Sequence, residues 1–445
     1  MAAPPSSFAG VGDPRVRTVL RETKTIFNTV PSFSFDKLLG FGAGGVVCRV
    51  IERGPRKTKS GVTKSPRRLV VKRAISAKAE AELLTEIEFL KQLRGAEHIS
   101  RMIASHDGSV PQPSGLLNQS LKAVGMGIGW VLGGARSVQQ KPPQTPQHDN
   151  YDSIFKGIKG PLLIVEYLEN GELRALLGKL MVTGIMLPNR VLWAFCLCAV
   201  RACIACAYPP EGDDETPNSL ERIEPNQPRE FLGHGDIHGR NIMIGNRGID
   251  FREHSLVPPL KLIDFGRAKA EPLDYNKMIH DLFLCPFELI GERLMQEILS
   301  LITRTMSWHH KVGGYRGFAT YAIEILHRDE YNCPEGNGGE YPTIDDELRH
   351  FLARCTATSL LPRPSLSQMF AEAYAGANKP ASAYGPRAEA ESDATIERIL
   401  SQVLFDANIE APVEDPVDSW EMVGGNRARQ RRPRPPFQRI ISYSS

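Results

Sequence analysis

Two apolar stretches restrict what this chain of 445 residues can fold into more than any other feature. Leu162 to Tyr167 (LLIVEY) reads as an apolar strand, too short for a helix and so covered on both faces. Val191 to Val200 runs ten residues before Arg201 interrupts it, about half of a membrane span, and its helical spacing suits a core helix. A chain carrying both must wrap a sheet and helices around a shared interior, which predicts an α+β fold.

Composition narrows the class. The chain has 41% hydrophobic and 24% charged residues and a net charge of +3, so nucleic acid is not indicated as a partner. Met1 to Pro14 has no apolar core after a basic start, so a secretory signal is not expected. The eight cysteines are scattered, apart from Cys196, Cys198, Cys203 and Cys206 on the apolar helix. Cys203-x-x-Cys206 fits a redox or zinc half-site, but no second pair or His cluster accompanies it, and buried free thiols are expected. A reducing compartment, cytoplasmic or nuclear, follows, with no membrane span.

Prolines (33) and glycines (39) exceed what one compact fold needs, so linkers and tails are expected. Residues 1–32 read as an N-terminal extension, 106–160 as a Gly/Pro/Gln-rich insertion, 209–229 as an acidic loop and 379–445 as a polar, disordered tail. Arg53 to Arg68 holds seven basic residues and no acid; Arg427 to Arg439 carries six arginines. Both read as solvated loop and tail, with an acidic partner or a nuclear address as the alternatives. Between these lie a strand, glycine turn and strand over Ser34–Val50, a strand over Arg68–Ala74 and a helix over Lys78–Leu93. Helices over Gly171–Leu180 and 188–207 follow, then short strands at Ile242–Ile244 and Leu260–Ile263. The span from Asn276 to Ala375 reads as mainly helical.

Four signals carry chemistry. Gly40, Gly42, Gly45 and Val47 form a G-x-G-x-x-G-x-V run that leads into a β-branched strand. Such glycines let backbone N–H groups approach a polyphosphate, although a plain β-turn uses the same residues. Lys72 sits on the next strand. Fourteen residues on, Glu86 stands beside the core-facing Ile87, Leu90 and Leu93 and is the carboxylate best placed to pair with it; Glu88 is the alternative. His234-Gly-Asp-Ile-His-Gly-Arg-Asn241 places Asp236 and Asn241 on a loop. Leu262-Ile-Asp-Phe-Gly266 places Asp264 on another, 28 residues after Asp236. Asn241 and Asp264 offer hard oxygen ligands suited to Mg²⁺, and Asp236 a carboxylate for an attacking hydroxyl.

These motifs, in this order, resemble the protein-kinase superfamily over residues 34–375, including Leu361-Pro-Arg363-Pro364-Ser. The whole set is similar to divergent protein-kinase-like families common in fungi. The resemblance implies a two-lobed fold: a small antiparallel β-sheet with one helix over 33–168, and a larger, mainly helical lobe over 169–378. It implies ATP and Mg²⁺ as cofactors and a protein hydroxyl as acceptor. Gly40, Gly42, Gly45 and Val47 would cover the phosphates and Lys72, paired with Glu86, would bind them. Val165, Glu166 and Leu168 would form the adenine hinge, with Val165 as gatekeeper, and Glu172 would reach the ribose. Asp236 would be the base, with His238 beside it, and Asn241 and Asp264 would hold Mg²⁺.

Three departures stand out. Gly235 replaces the arginine usual before the catalytic aspartate. His238 stands where protein kinases carry a lysine, which is similar to aminoglycoside and choline phosphotransferases. Only nine residues separate Gly266 from Asn276, with no Ala-Pro-Glu segment. Asp281 resembles the aspartate of the central helix of the larger lobe, and Arg363 is expected to lack its usual glutamate partner. A small-molecule kinase and an ATP-binding pseudokinase acting as an interaction module therefore stand as alternatives.

Overall fold

The computed structural model describes residues 12–54, 56–57, 63–64, 66–108, 149–213, 216–225, 232–248, 252–270, 286–328, 336 and 338–405. Leu121–Leu132, Asp281 and the arginine-rich end at 427–439 lie outside the described residues.

The chain is mixed α+β. Helix α1 (Pro14–Thr29) precedes strands β1 (Phe33–Gly42), β2 (Gly45–Glu52) and β3 (Arg67–Arg73). Helix α2 (Ala77–Gln92), strand β4 (Met102–His106), helix α3 (Asp149–Phe155) and strand β5 (Leu162–Glu166) follow. The five strands make one antiparallel sheet in the order β1-β2-β3-β5-β4.

β5 is the apolar strand, and alternation splits its side chains between two interiors. Leu162 and Ile164 pack with Phe27 of α1 and Tyr151 and Ile154 of α3. Leu163 and Val165 join Leu83, Ile87 and Leu90 of α2 in the main core. Covering both faces is worth about 1.5–3 kcal/mol for each large side chain buried.

The cover on the first face comes from the N-terminal extension and from the end of the insertion at 106–160. α1 is anchored in two ways: Asp13 caps it by accepting from the Arg15 N–H at 2.8 Å, and Val16, Leu20, Thr23 and Phe27 form one buried stripe. The end of the insertion folds as α3, whose Tyr151 hydroxyl donates to Glu52 at 3.2 Å. Arg67 reaches the same buried Glu52 at 2.6 Å.

After β5 come helices α4 (Leu173–Thr183) and α5 (Asn189–Ala207), then the short antiparallel strands β6 (Ile242–Ile244) and β7 (Leu260–Leu262). Helices α6 (Pro286–Thr303), α7 (Asp346–Cys355), α8 (Leu366–Ala377) and α9 (Asp393–Leu400) complete the helical part, with a small hairpin, Gly313–Tyr315 with Phe318–Thr320, among them. α5 is long and apolar enough to cross a membrane, but 89% of its apolar window is buried inside the protein. It is the helix around which α6, α8 and β7 gather.

α5 lacks a side-chain cap of its own, because its N-cap is Pro188. Glu391 supplies one from the far end of the chain, accepting the N–H groups of Asn189 at 2.9 Å and Arg190 at 3.0 Å. Residues 379–405 are therefore folded structure rather than disordered tail: Ile396, Leu400 and Val403 are buried in the main core. The α5 cysteines 196, 198, 203 and 206 are free and buried.

Two substitutions test these contacts. Leu20→Ala should cost about 2–5 kcal/mol in urea unfolding, as a core deletion does, rather than the near-zero cost of a loose extension. Glu391→Ala should cost about 1–3 kcal/mol by uncapping α5; unfolding midpoints equal to wild type for both would refute this packing.

Candidate active site

The glycine run closes the β1–β2 hairpin, with Gly42 paired to Gly45 and Gly40 to Val47. Its glycines serve different ends. Gly45 has φ +129°, and a Cβ there would meet the Arg73 carbonyl oxygen at 2.2 Å, so the neighbouring strand requires it. At Gly40 and Gly44 a Cβ would meet nothing within 4 Å, and the backbone there faces open space. Val47 pairs across the sheet with Lys72, and Lys72 with Leu163 of β5.

Lys72 points from β3 towards α2, where its Nζ lies 2.6 Å from Glu86 Oε1. The helical period turns Glu86 inward with Ile87 and leaves Glu88 exposed, which decides between the two carboxylates. Burial works against the ammonium, but Glu86 and Asp264 outweigh it and hold the Lys72 pKa above its ordinary value. Burial pushes the Glu86 carboxyl up, opposed by Lys72 and by a hydrogen bond from the Phe265 N–H.

β6 and β7 present the two remaining loops side by side. Before β6, His234 is fully buried; its Nε2 donates to the Ile263 carbonyl at 2.9 Å, and its Nδ1 accepts from the Asp236 N–H at 3.3 Å. Burial holds this ring below its ordinary pKa, so it is a neutral spacer between the loops. Asn241 Nδ2 donates to the Asp236 carbonyl at 2.9 Å and fixes the turn between them. After β7, Asp264 has φ +65°, a conformation that costs energy for any residue with a Cβ. Burial opposes its charge, yet the Lys72 ammonium and the Gly266 N–H hold its pKa below the usual value.

The structure thus links Lys72, Glu86, Asp236, His238, Asn241 and Asp264 to one another, with Val47 of the glycine hairpin the cross-strand neighbour of Lys72. His238 Nε2 lies 3.9 Å from Asp236 Oδ2, and its Nδ1 accepts from the Arg240 N–H at 3.2 Å. Burial lowers the His238 pKa below 6.5, so the ring is neutral at pH 7. Val165 is buried at the end of β5. The Glu166 carboxylate is held by the Arg101 N–H at 2.8 Å and Lys261 at 3.0 Å. Leu168 is buried, and Glu172 forms the N-cap of α4 and bridges to Met243. A separate shallow recess beside Leu93, Arg94 and Thr216 shares no residue with this group.

Several participants were not legible in the sequence. Gly235 has φ +78°, and a Cβ there would strike the Arg267 carbonyl oxygen at 2.2 Å, which explains why no larger residue stands before Asp236. Arg267 itself reaches Asp236 Oδ2 at 3.5 Å, so the cation beside that carboxylate comes from the Asp264 loop. Glu297 of α6 is buried against Gly239; it accepts from the Gly239 N–H and from Ser307 Oγ at 2.5 Å, and burial raises its pKa. Arg363 is not without a glutamate: it pairs with buried Glu292 of α6 and donates from Nε to the Ala357 carbonyl at 2.9 Å.

No family model matches this chain, and no curated protein matches it.

Removing Glu86 would strand a buried ammonium. Glu86→Ala should cost about 3 kcal/mol in chemical unfolding, the low end for a broken buried pair because Asp264 still faces Lys72. Adding Lys72→Met should recover most of that loss; a double variant no more stable than Glu86→Ala would show that the pair is not coupled as described.

Proposed function

We propose that this chain is an ATP- and Mg²⁺-dependent phosphotransferase of the protein-kinase type, with a two-lobed fold and Asp236 as the base that accepts the proton of a protein hydroxyl. The observation that supports it best is the convergence, beside an open glycine turn, of the Lys72–Glu86 ion pair with Asp264 and the Asp236–Asn241 loop. In this reading the sheet and α2 form the smaller lobe, α4 onward the larger one, and residues 165–168 the hinge for adenine.

The residues fit the groups the reading requires. Asp264 is held ionised, and Asn241 has its Nδ2 engaged with the Asp236 carbonyl, which turns its Oδ1 end to a cation. Two hard oxygens suit Mg²⁺, which when bound neutralises phosphate charge. The backbone at Gly40 and Gly44 has room that a side chain would fill, as a phosphate cradle needs. Lys72, fixed by Glu86, meets phosphate oxygens at a set point. Arg267 steadies the Asp236 carboxylate.

His238 favours a second reading. A neutral imidazole 3.9 Å from the base carboxylate replaces the usual lysine, which suits a small alcohol as acceptor. The two readings share every other residue and differ in the acceptor.

The test is Mg·ATP turnover with generic protein substrates, with small alcohols and with no acceptor. Asp236→Asn should lower the rate about 10²–10⁴-fold. Lys72→Ala should lower it by a similar factor through lost phosphate positioning. Equal turnover in wild type and both variants would reject the enzyme. Transfer to small alcohols alone would select the second reading, and a thermal shift with Mg·ATP without transfer to any acceptor would leave a binding module.

A further inference from the structure

Behind the sheet, three segments far apart in the chain bring His98, Cys198 and His254 together in a site with no exposure to speak of. The ligand-capable atoms, one nitrogen from each ring and the Cys198 sulfur, all lie within 4.8 Å of one another. His98 comes from the turn between α2 and β4, Cys198 from the middle of α5, and His254 from the 3-10 turn Arg252–His254 that precedes β7. The two rings stand 5.0 Å apart, centroid to centroid, at 65°.

The two rings are held differently. Glu221 overcomes burial and pushes the His98 pKa up to about 10, so this ring would give up a proton on binding a metal. Burial and neighbouring cations bring His254 down to about 3 and leave it neutral. His98 Nδ1 lies 2.7 Å from Glu221 Oε2, and the other oxygen of that carboxylate accepts the His98 backbone N–H at 2.7 Å. The Val257 backbone carbonyl takes the ring hydrogen bond of His254. Nε2 is then the remaining nitrogen on both rings; the His98 ring hydrogen-bonds the Cys198 thiol, and His254 Nε2 has no hydrogen-bond partner among the described residues. A buried ring nitrogen without a partner is costly, and the second imidazole and the thiol are its neighbours. A carboxylate or carbonyl behind each imidazole is the outer arrangement that fixes the tautomer of a metal-ligating histidine.

We propose that His98 Nε2, His254 Nε2 and Cys198 Sγ bind one thiophilic d¹⁰ cation, Zn²⁺ or Cu⁺, as a structural clamp. Two imidazoles and a thiolate are the donor set these ions select. Three donors complete a trigonal Cu⁺ site; Zn²⁺ would add a water. The surrounding charge agrees with a cation. The Glu221 carboxylate pairs with His98 and that of Glu253 with Arg201, which also donates to the Glu221 backbone carbonyl, and ionising the thiol adds a further negative charge. Each cation felt by His254 has a carboxylate of its own: Glu221 for His98, Glu253 for Arg201, and Glu166 and Glu97 for Lys261. A bound ion would tie the turn after α2 to α5 and to the segment that leads into β7 and Asp264. The site shares no residue with the phosphotransferase reading and stands or falls apart from it.

The probe is cobalt. The full chain, refolded from chelator with Co²⁺, should take up about one ion per chain and show a thiolate-to-cobalt charge-transfer band in the near ultraviolet. One equivalent of Zn²⁺ or Cu⁺ should bleach that band, and the ion that does so at the lower concentration is the one the site prefers. Cys198→Ser should remove the band, while Cys203→Ser, farther along α5 and outside the cluster, should keep it. His254→Gln keeps the thiol and should weaken Co²⁺ binding at least tenfold, so the proposal can be judged even where Cys198→Ser folds poorly. Folded wild type that takes up no Co²⁺, or a band that survives Cys198→Ser, would overturn it.

Discussion

The buried pair of Lys72 and Glu86 is the constraint on which the candidate site depends. An ammonium on a central strand cannot remain charged unless a carboxylate meets it, and the only economical source is the helix packed against the sheet. That requirement sets the rotation of α2, which turns Glu86 inward and Glu88 out. It also sets the position of Asp264. Glu86 accepts the Phe265 N–H while Asp264 faces Lys72, so one ion pair joins the sheet, α2 and the loop after β7. Two carboxylates share a single buried cation there.

A second constraint comes from α5. A helix apolar all round must be surrounded, and it has no capping side chain next to it in sequence. The chain meets both needs from a distance: α6 and α8 cover its faces, and Glu391 returns to cap it. Its polar interruptions are answered in the same way. Arg201 is neutralised by Glu253 and donates to the Glu221 backbone carbonyl, and Cys198 is left facing two imidazoles whose outer nitrogens are already fixed. Buried polar groups on a core helix need partners, and Cys198 and Arg201, three residues apart on one face, find theirs in a single neighbourhood of His98, Glu221, Glu253 and His254.

What the sequence made legible was what short-range periodicity encodes. Alternation marks β5 as covered on both faces, the 3.6 period places Glu86 beside Ile87 and Leu90, and the glycine turn marks the β1–β2 hairpin. Tertiary pairing leaves no such period. Arg363 and Glu292 are 71 residues apart, His98 and Glu221 are 123 apart, and Glu391 and Asn189 are 202 apart. α1 was missed because the Pro- and Ser-rich residues before it dominate the composition of that end. Its buried stripe of Val16, Leu20, Thr23 and Phe27 is carried by only four of its positions. For the same reason a scan for closely spaced ligands stops at Cys203-x-x-Cys206, whereas the cluster the fold assembles draws one residue from each of three segments.

Backbone crowding shapes the loop that carries Asp236. With φ at +78° and the Arg267 carbonyl pressed against its Cα, position 235 admits no side chain, and any there would force the two loops apart. Bringing the loops that close places the Arg267 guanidinium within 3.5 Å of Asp236, so the glycine and the cation beside the carboxylate belong to the same contact. Glu297 then holds the other end of the loop at Gly239, where a Cβ would come within 2.9 Å of its carboxylate oxygen. Glycines 235 and 239 bracket Asp236 because backbone and carboxylate oxygens crowd both sides, and the carboxylate between them is positioned by steric fit as much as by charge.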